Sequence, residues 1–149
     1  MIKLICIGSI KENYLKEAID DYLTRIKKYT KIELIEVKDS KIEEKALLDE
    51  EKEILKHIKD KDYIITLEID GNMKDSISFS NYLEKLEVEY NNIVFIIGGS
   101  LGLSDKIKEL SNYKLSFSKM TFPHQLFRLI LLEQIYRAYK IKNNETYHK

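Results

Sequence analysis

Apolar positions along the chain recur at two spacings that take turns. Ile2 to Ile7 is a short isoleucine-rich run closed by Gly8, the pattern of a buried strand. From Glu12 to Tyr29 the positions Leu15, Ala18, Ile19, Tyr22, Leu23, Ile26 and Tyr29 recur at three and four, which predicts an amphipathic helix. Ile32 to Val37 alternates as a half-exposed strand, and Ala46, Leu47, Ile54, Leu55 and Ile58 mark a second helix beyond a charged stretch. Tyr63 to Ile69 is the third strand, expected to end at Asp70-Gly71-Asn72, a turn sequence in which glycine can take positive φ. A helix follows from about Ser78 to Tyr90. Ile93 to Ile97 is a continuous apolar run of strand length, as in a central strand covered on both faces. Ser104 caps a short helix through Leu110, with Asp105 in its first turn, and Leu115 to Ser118 is the last strand. Pro123 suits a first helical turn, and the helix from there to about Ile141 is the longest apolar pattern in the chain.

Strands and helices therefore alternate from end to end, with no repeat or linker. That order predicts an α/β layered domain with a mostly parallel sheet, a single domain over residues 1–149. Ligands of such sheets bind at the carboxyl ends of the strands, so the loops of interest follow Ile69, Ile97 and Ser118. A chain of 149 residues buries about 68–70% of its unfolded surface and needs no metal or disulfide staple. The single cysteine, Cys6, excludes an internal disulfide, and the histidines have no metal-ligand spacing, so no metal is expected. The opening apolar run is too short for a signal peptide, and no stretch reaches the roughly 18 apolar residues of a membrane span, so a soluble cytoplasmic protein without a membrane partner is expected.

Candidate chemistry concentrates at those strand ends. Gly98-Gly99-Ser100-Leu101-Gly102 follows the most buried strand, but matches neither the dinucleotide fingerprint nor a P-loop. It is either a tight strand-to-helix turn or a wall where a flat ring can press on main chain lacking Cβ atoms. In Ser116 to His124, Phe117, Met120 and Phe122 offer apolar walls for a ligand or pack into the core, and His124 reads as a capping or packing residue. The last helix is apolar nearly all round, so it needs cover on more than one side, which points to a subunit interface as well as the core. Glu133 and Arg137 on it have salt-bridge spacing. The segment Asn143 to Lys149 either frays or forms a basic, aromatic arm that stacks on a base and contacts phosphate.

Five segments taken together resemble one family: Ile-Ile-Thr-Leu-Glu-Ile-Asp-Gly (64–71), Phe-Ile-Ile-Gly-Gly-Ser-Leu-Gly (95–102), Leu-Ser-Phe-Ser-Lys-Met-Thr-Phe-Pro-His-Gln-Leu-Phe-Arg (115–128), Glu-Gln-Ile-Tyr-Arg-Ala (133–138) and the final Tyr-His-Lys. They are similar to the RlmH type of SPOUT methyltransferase, in register over essentially the whole chain. The resemblance implies a C-terminal trefoil knot, a homodimer, S-adenosyl-L-methionine as methyl donor, and methylation of N3 of a pseudouridine in 23S ribosomal RNA on the assembled ribosome. It puts the cofactor at Leu67, at Gly98 and along Phe117, Ser118, Lys119, Met120, Thr121 and Phe122. His148 and Glu68 are then candidate bases, Tyr147 a stacking or hydrogen-bonding group, and Arg137, Lys149 and Arg128 candidate RNA contacts. Glu68 stands where many relatives carry aspartate, and Lys149 where others carry arginine, which loses the planar bidentate fork. A non-catalytic RNA- or ribosome-binding module of the same fold is the alternative reading.

Charge bears on the partner. The 25 basic and 25 acidic side chains cancel, which speaks against strong nonspecific RNA affinity. From Lys119 onward, however, six basic residues face two acidic ones. A modest local patch of that kind fits recognition of one nucleotide on a structured particle.

Overall fold

The computed structural model describes residues 1–149 and contains the elements in the expected order. Strands β1 (Ile2–Ile7), β2 (Ile32–Val37), β3 (Tyr63–Met73), β4 (Ile93–Ile97) and β5 (Tyr113–Ser116) form one sheet in the order β2-β1-β4-β3-β5, every pair parallel. Helices α1 (Asn13–Ile26), α2 (Ala46–Leu55), α3 (Ser76–Glu89), α4 (Asp105–Leu110) and α5 (His124–Lys142) cover both faces. Alternate side chains of the central strands divide between two cores: Ile2, Leu4, Cys6, Ile93 and Phe95 pack under α1, α3 and α5, whereas Ile5, Ile7, Val94 and Ile96 pack with Ile54 of α2 and Ile107 of α4. This explains the unbroken apolar runs in β1 and β4. Burial pushes the Cys6 thiol up to about 12, leaving it protonated and unreactive. No helix is long and apolar enough to cross a membrane.

One expected turn is corrected. The strand β3 does not stop at Ile69; it runs on to Met73 and pairs twice with Leu115 of β5, first through Leu67 and then through Asn72. The intervening residues Glu68 to Gly71 bulge out of the ladder, and the bulge carries Glu68, Ile69 and Asp70 to the strand's carboxyl end. Gly71 is needed for space, not for positive φ. A Cβ there would lie 2.7 Å from the Lys114 carbonyl oxygen, so only glycine lets the returning strand close on β5.

The cap at Ser104 forms as expected, its hydroxyl accepting from the Ile107 N–H. Behind the glycine turn stands α2, whose Glu50 is buried and accepts from the Ser40 N–H. Burial, with Asp39 and Asp49 nearby, raises the titration of Glu50. The folded chain therefore holds this proton more tightly than the unfolded chain, and the contribution to stability is lost as pH rises through the raised value. Substituting Glu50→Gln is expected to raise the urea midpoint at about pH 8 and change it little near pH 4, on either side of the ordinary carboxylate range and its upward shift. Equal shifts at both pH values would refute this.

Candidate active site

A cleft of about 320 Å³ opens at the carboxyl ends of β3, β4 and β5, within the range of small-molecule sites. One wall is the β3 bulge, Leu67 to Asp70; a second is the turn at Gly98, Gly99 and Gly102; the third is the loop Phe117 to Phe122, closed by His124 and Phe127 of α5. Each wall is fastened. The Ser116 hydroxyl lies 2.9 Å from the Ile69 carbonyl and 3.1 Å from that of Ser118, bridging bulge and loop, and the Met120 N–H donates to the Ser118 hydroxyl. Phe127 presents its ring to Phe117 and Phe122, at centroid distances of 5.1 and 5.7 Å. In the glycine turn, a Cβ on Gly98 would come within 2.6 Å of the Gly102 carbonyl oxygen. The segment is thus both a tight turn and a cleft wall.

The comparisons with known proteins agree on this architecture. A family model described as "Predicted SPOUT methyltransferase" matches residues 1–148. The chain belongs to the SPOUT methyltransferase family. The curated ribosomal RNA large subunit methyltransferase H of Clostridium acetobutylicum is 50% identical to it over 157 aligned residues, covering 99% of each chain. Among solved structures, a probable methylase family protein from Haemophilus influenzae superposes with a TM-score of 0.59 at 15% identity, over 99% of this chain and 70% of that one. The SpoU methyltransferase AviRb from Streptomyces viridochromogenes, solved with AdoMet, gives 0.50 at 10% identity, over 92% and 57%. The last two likenesses speak for the SPOUT fold.

Of the positions singled out in this SPOUT chain, Leu67, Glu68, Gly98, Phe117, Ser118, Met120, Thr121 and Phe122 line the cleft, whereas Lys119 is exposed and does not line it. Glu68 is already engaged: the buried Thr66 hydroxyl donates to its Oε2 at 2.6 Å. Ile69, Asp70, Leu103, Lys108 and His124 also line it. The strand-end pattern reaches Ile69 and Asp70, whereas Leu103 and Lys108 become visible only once α4 is placed. His124 neither caps α5 nor packs into either core.

The last residues do not fray. Tyr147 meets the edge of Tyr136 at 4.9 Å and donates from its hydroxyl to Glu133, while the Arg137 guanidinium lies 4.9 Å over the Tyr147 ring. Burial, together with Tyr22 and Glu133, raises the Tyr147 phenol, so it stays a donor. Arg137 also bonds Glu133 at 2.6 and 3.0 Å and reaches Nδ1 of His148 at 3.0 Å. Lys140 pairs with Glu145, which in turn accepts from Tyr29 of the α1 connection. None of Tyr147, His148 and Lys149 lines the cleft of its own chain.

The expectation for Arg128 is corrected. Its side chain is fully buried, with Nη1 donating to Glu36 at 2.8 Å and Nη2 near the carbonyls of Ile7 and Gly8, each at 3.2 Å. A guanidinium enclosed in this way cannot touch RNA; it ties α5 to the ends of β1 and β2. The helix α5 finds much of its cover within the chain, against α1 and α3, leaving Leu126 exposed and Phe127, Leu129 and Ile130 half-buried.

Proposed function

We propose that this chain transfers a methyl group from S-adenosyl-L-methionine to N3 of a pseudouridine in 23S ribosomal RNA, on the assembled ribosome, in the cytoplasm. The observation that carries the reading is the cleft itself, which gathers Leu67, Gly98 and the Phe117 to Phe122 loop on one cavity. Its donor set fits the cofactor. Leu67, Ile97, Leu115 and the phenylalanines can sandwich a purine, and the carboxylates of Glu68 and Asp70 suit an ammonium group and ribose hydroxyls. The 50% identical relative named as a ribosomal RNA methyltransferase supports the substrate class. The same reading takes the segment from β4 into α5 as a trefoil knot, and the molecule as a homodimer joined through the residual apolar face of α5.

When bound, the cofactor supplies a methyl group already activated on a sulfonium. The protein's part is then alignment and charge: the cleft orients the donor, and the target base must be held in line with it. On this reading Tyr147 and His148 meet the base and Arg137 and Lys149 meet phosphate, Arg137 while still paired with Glu133. Because they dock on α1 and α5 away from their own cleft, in a homodimer they serve the cleft of the other copy. The apparent basic excess after Lys119 is largely engaged inside the chain: Arg128, Arg137 and Lys140 are ion-paired, and Lys142 lies 4.0 Å from Glu87. Lys119 and Lys149 remain, so few phosphates are neutralised and shape must supply recognition.

The deciding experiment is tritiated methyl transfer to ribosomes from a strain lacking the modification, followed by mapping of the nucleotide. Transfer to one pseudouridine N3 is expected, with a short naked hairpin a poor substrate. Calorimetric silence with S-adenosylmethionine would favour the non-catalytic module instead. Substituting Gly98→Val is expected to weaken cofactor binding by about ten- to a hundredfold, since overpacking of roughly 1–3 kcal/mol falls on the turn that forms the wall. Unchanged affinity would remove Gly98 from the site.

A further inference from the structure

The cleft holds an imidazole to which the reading above gives no task. His124 opens α5 directly after Pro123 and lines the cavity. No side-chain cap bond occupies it, and no hydrogen bond or ion pair within the chain engages either ring nitrogen. Its Nε2 lies 3.9 Å from the point a Cβ on Gly8 would take, so the ring faces the end of β1, which Arg128 holds through the Gly8 carbonyl.

The other charged groups of the cleft are Glu68, Asp70 and Lys108, with the Arg128–Glu36 pair one turn along α5. Lys108 offers no lone pair while protonated. Glu68 already accepts from the Thr66 hydroxyl, which occupies the oxygen that would otherwise take a proton. Imidazole changes charge nearest neutral pH, the range in which general bases are most effective. His148, the other candidate, has its Nδ1 engaged by the Arg137 guanidinium at 3.0 Å, whereas His124 has no such partner.

We propose that His124 is the proton acceptor of the methyl transfer, an inference that rests on the methyltransferase reading of the cleft. The N3–H proton of the pseudouridine passes to a ring nitrogen of His124. N3 uses the freed pair to bond the methyl carbon, and the carbon–sulfur bond breaks with its pair on sulfur. Positive charge thus moves from the sulfonium to the imidazolium, which returns its proton to water.

The test compares the full-length protein with H124Q and H124A on ribosomes lacking the modification. In H124Q, the thermal midpoint is expected to stay unchanged and the calorimetric affinity for S-adenosylhomocysteine to stay within about threefold, while kcat falls on the order of 10²-fold or more with KM for ribosomes little changed. Added imidazole restores part of the H124A turnover. Independently of activity, the His124 ring resonances, assigned by their loss in H124Q, should shift when S-adenosylhomocysteine is added, and those of His57 should not. Turnover of H124Q within threefold of the unsubstituted protein, a still His124 ring, or a loss of cofactor affinity that accounts for the loss of kcat would each overturn the assignment. If the unsubstituted protein itself binds no cofactor and transfers no methyl group, the methyltransferase reading fails and His124 falls with it. An active unsubstituted protein with an equally active H124Q refutes His124 alone.

Discussion

Deletion of Tyr147 to Lys149 is expected to lower methyl transfer to ribosomes on the order of 10²-fold or more while cofactor affinity stays nearly constant. The reason is the separation of parts. The cleft is complete without these residues, whereas their aromatic ring, imidazole and ammonium are the groups available to hold a base in line, and misalignment at the reacting atoms costs rates of that order. Single-turnover transfer alongside calorimetry separates the two functions. Full activity in the truncated chain would remove these residues from the site, and a parallel loss of cofactor binding would make them part of the cleft. Substitution Tyr147→Phe probes a smaller element, the hydroxyl bond to Glu133, and keeps the ring against Tyr136.

Replacing Arg128 by methionine is expected to cost about 3 kcal/mol of stability. The guanidinium is fully buried, and removing it leaves the Ile7 and Gly8 carbonyls without their donor, at about 1–3 kcal/mol for each unsatisfied buried group. Two features moderate the loss: Glu36 is 43% exposed and can return to water, and Nε of Arg128 has no partner even in the intact protein. With urea slopes of roughly 1–3 kcal/mol/M, the midpoint should fall by about 1–3 M. Lysine at this position keeps the charge but cannot span Glu36 and both carbonyls, so Arg128→Lys should recover only part of the loss. A midpoint unchanged by methionine would show that the clamp contributes nothing net. Because the same clamp holds Gly8 opposite His124, the methionine variant should also lose transfer activity beyond its loss of folded protein.

The order and kind of every element could be read from the chain because hydrophobic spacing is local: two-residue alternation or an unbroken apolar run for a strand, three and four for a helix, a serine cap at Ser104, a proline before α5. The strand-end rule also put the cleft on the right loops, and the resemblance named Leu67, Gly98 and Phe117 to Phe122, of which all but Lys119 line it. Other features depended on where distant segments meet. Nothing near Arg128 in sequence shows that its partner is Glu36, 92 positions away, which turns a supposed RNA contact into a core clamp. The bulge from Glu68 to Gly71 looked like a chain turn, since only the approach of Lys114 reveals that the strand resumes. Docking of Tyr147 needs Tyr22, Tyr136 and Glu133 together, and His124 becomes a cleft residue only beside Gly8 and the β3 bulge. The sequence by itself determined the elements, their order and the end of the sheet that carries the site. Tertiary structure alone decided which charges are engaged internally and which polar groups stay free to act, because those outcomes are set by contacts between segments that no local period encodes.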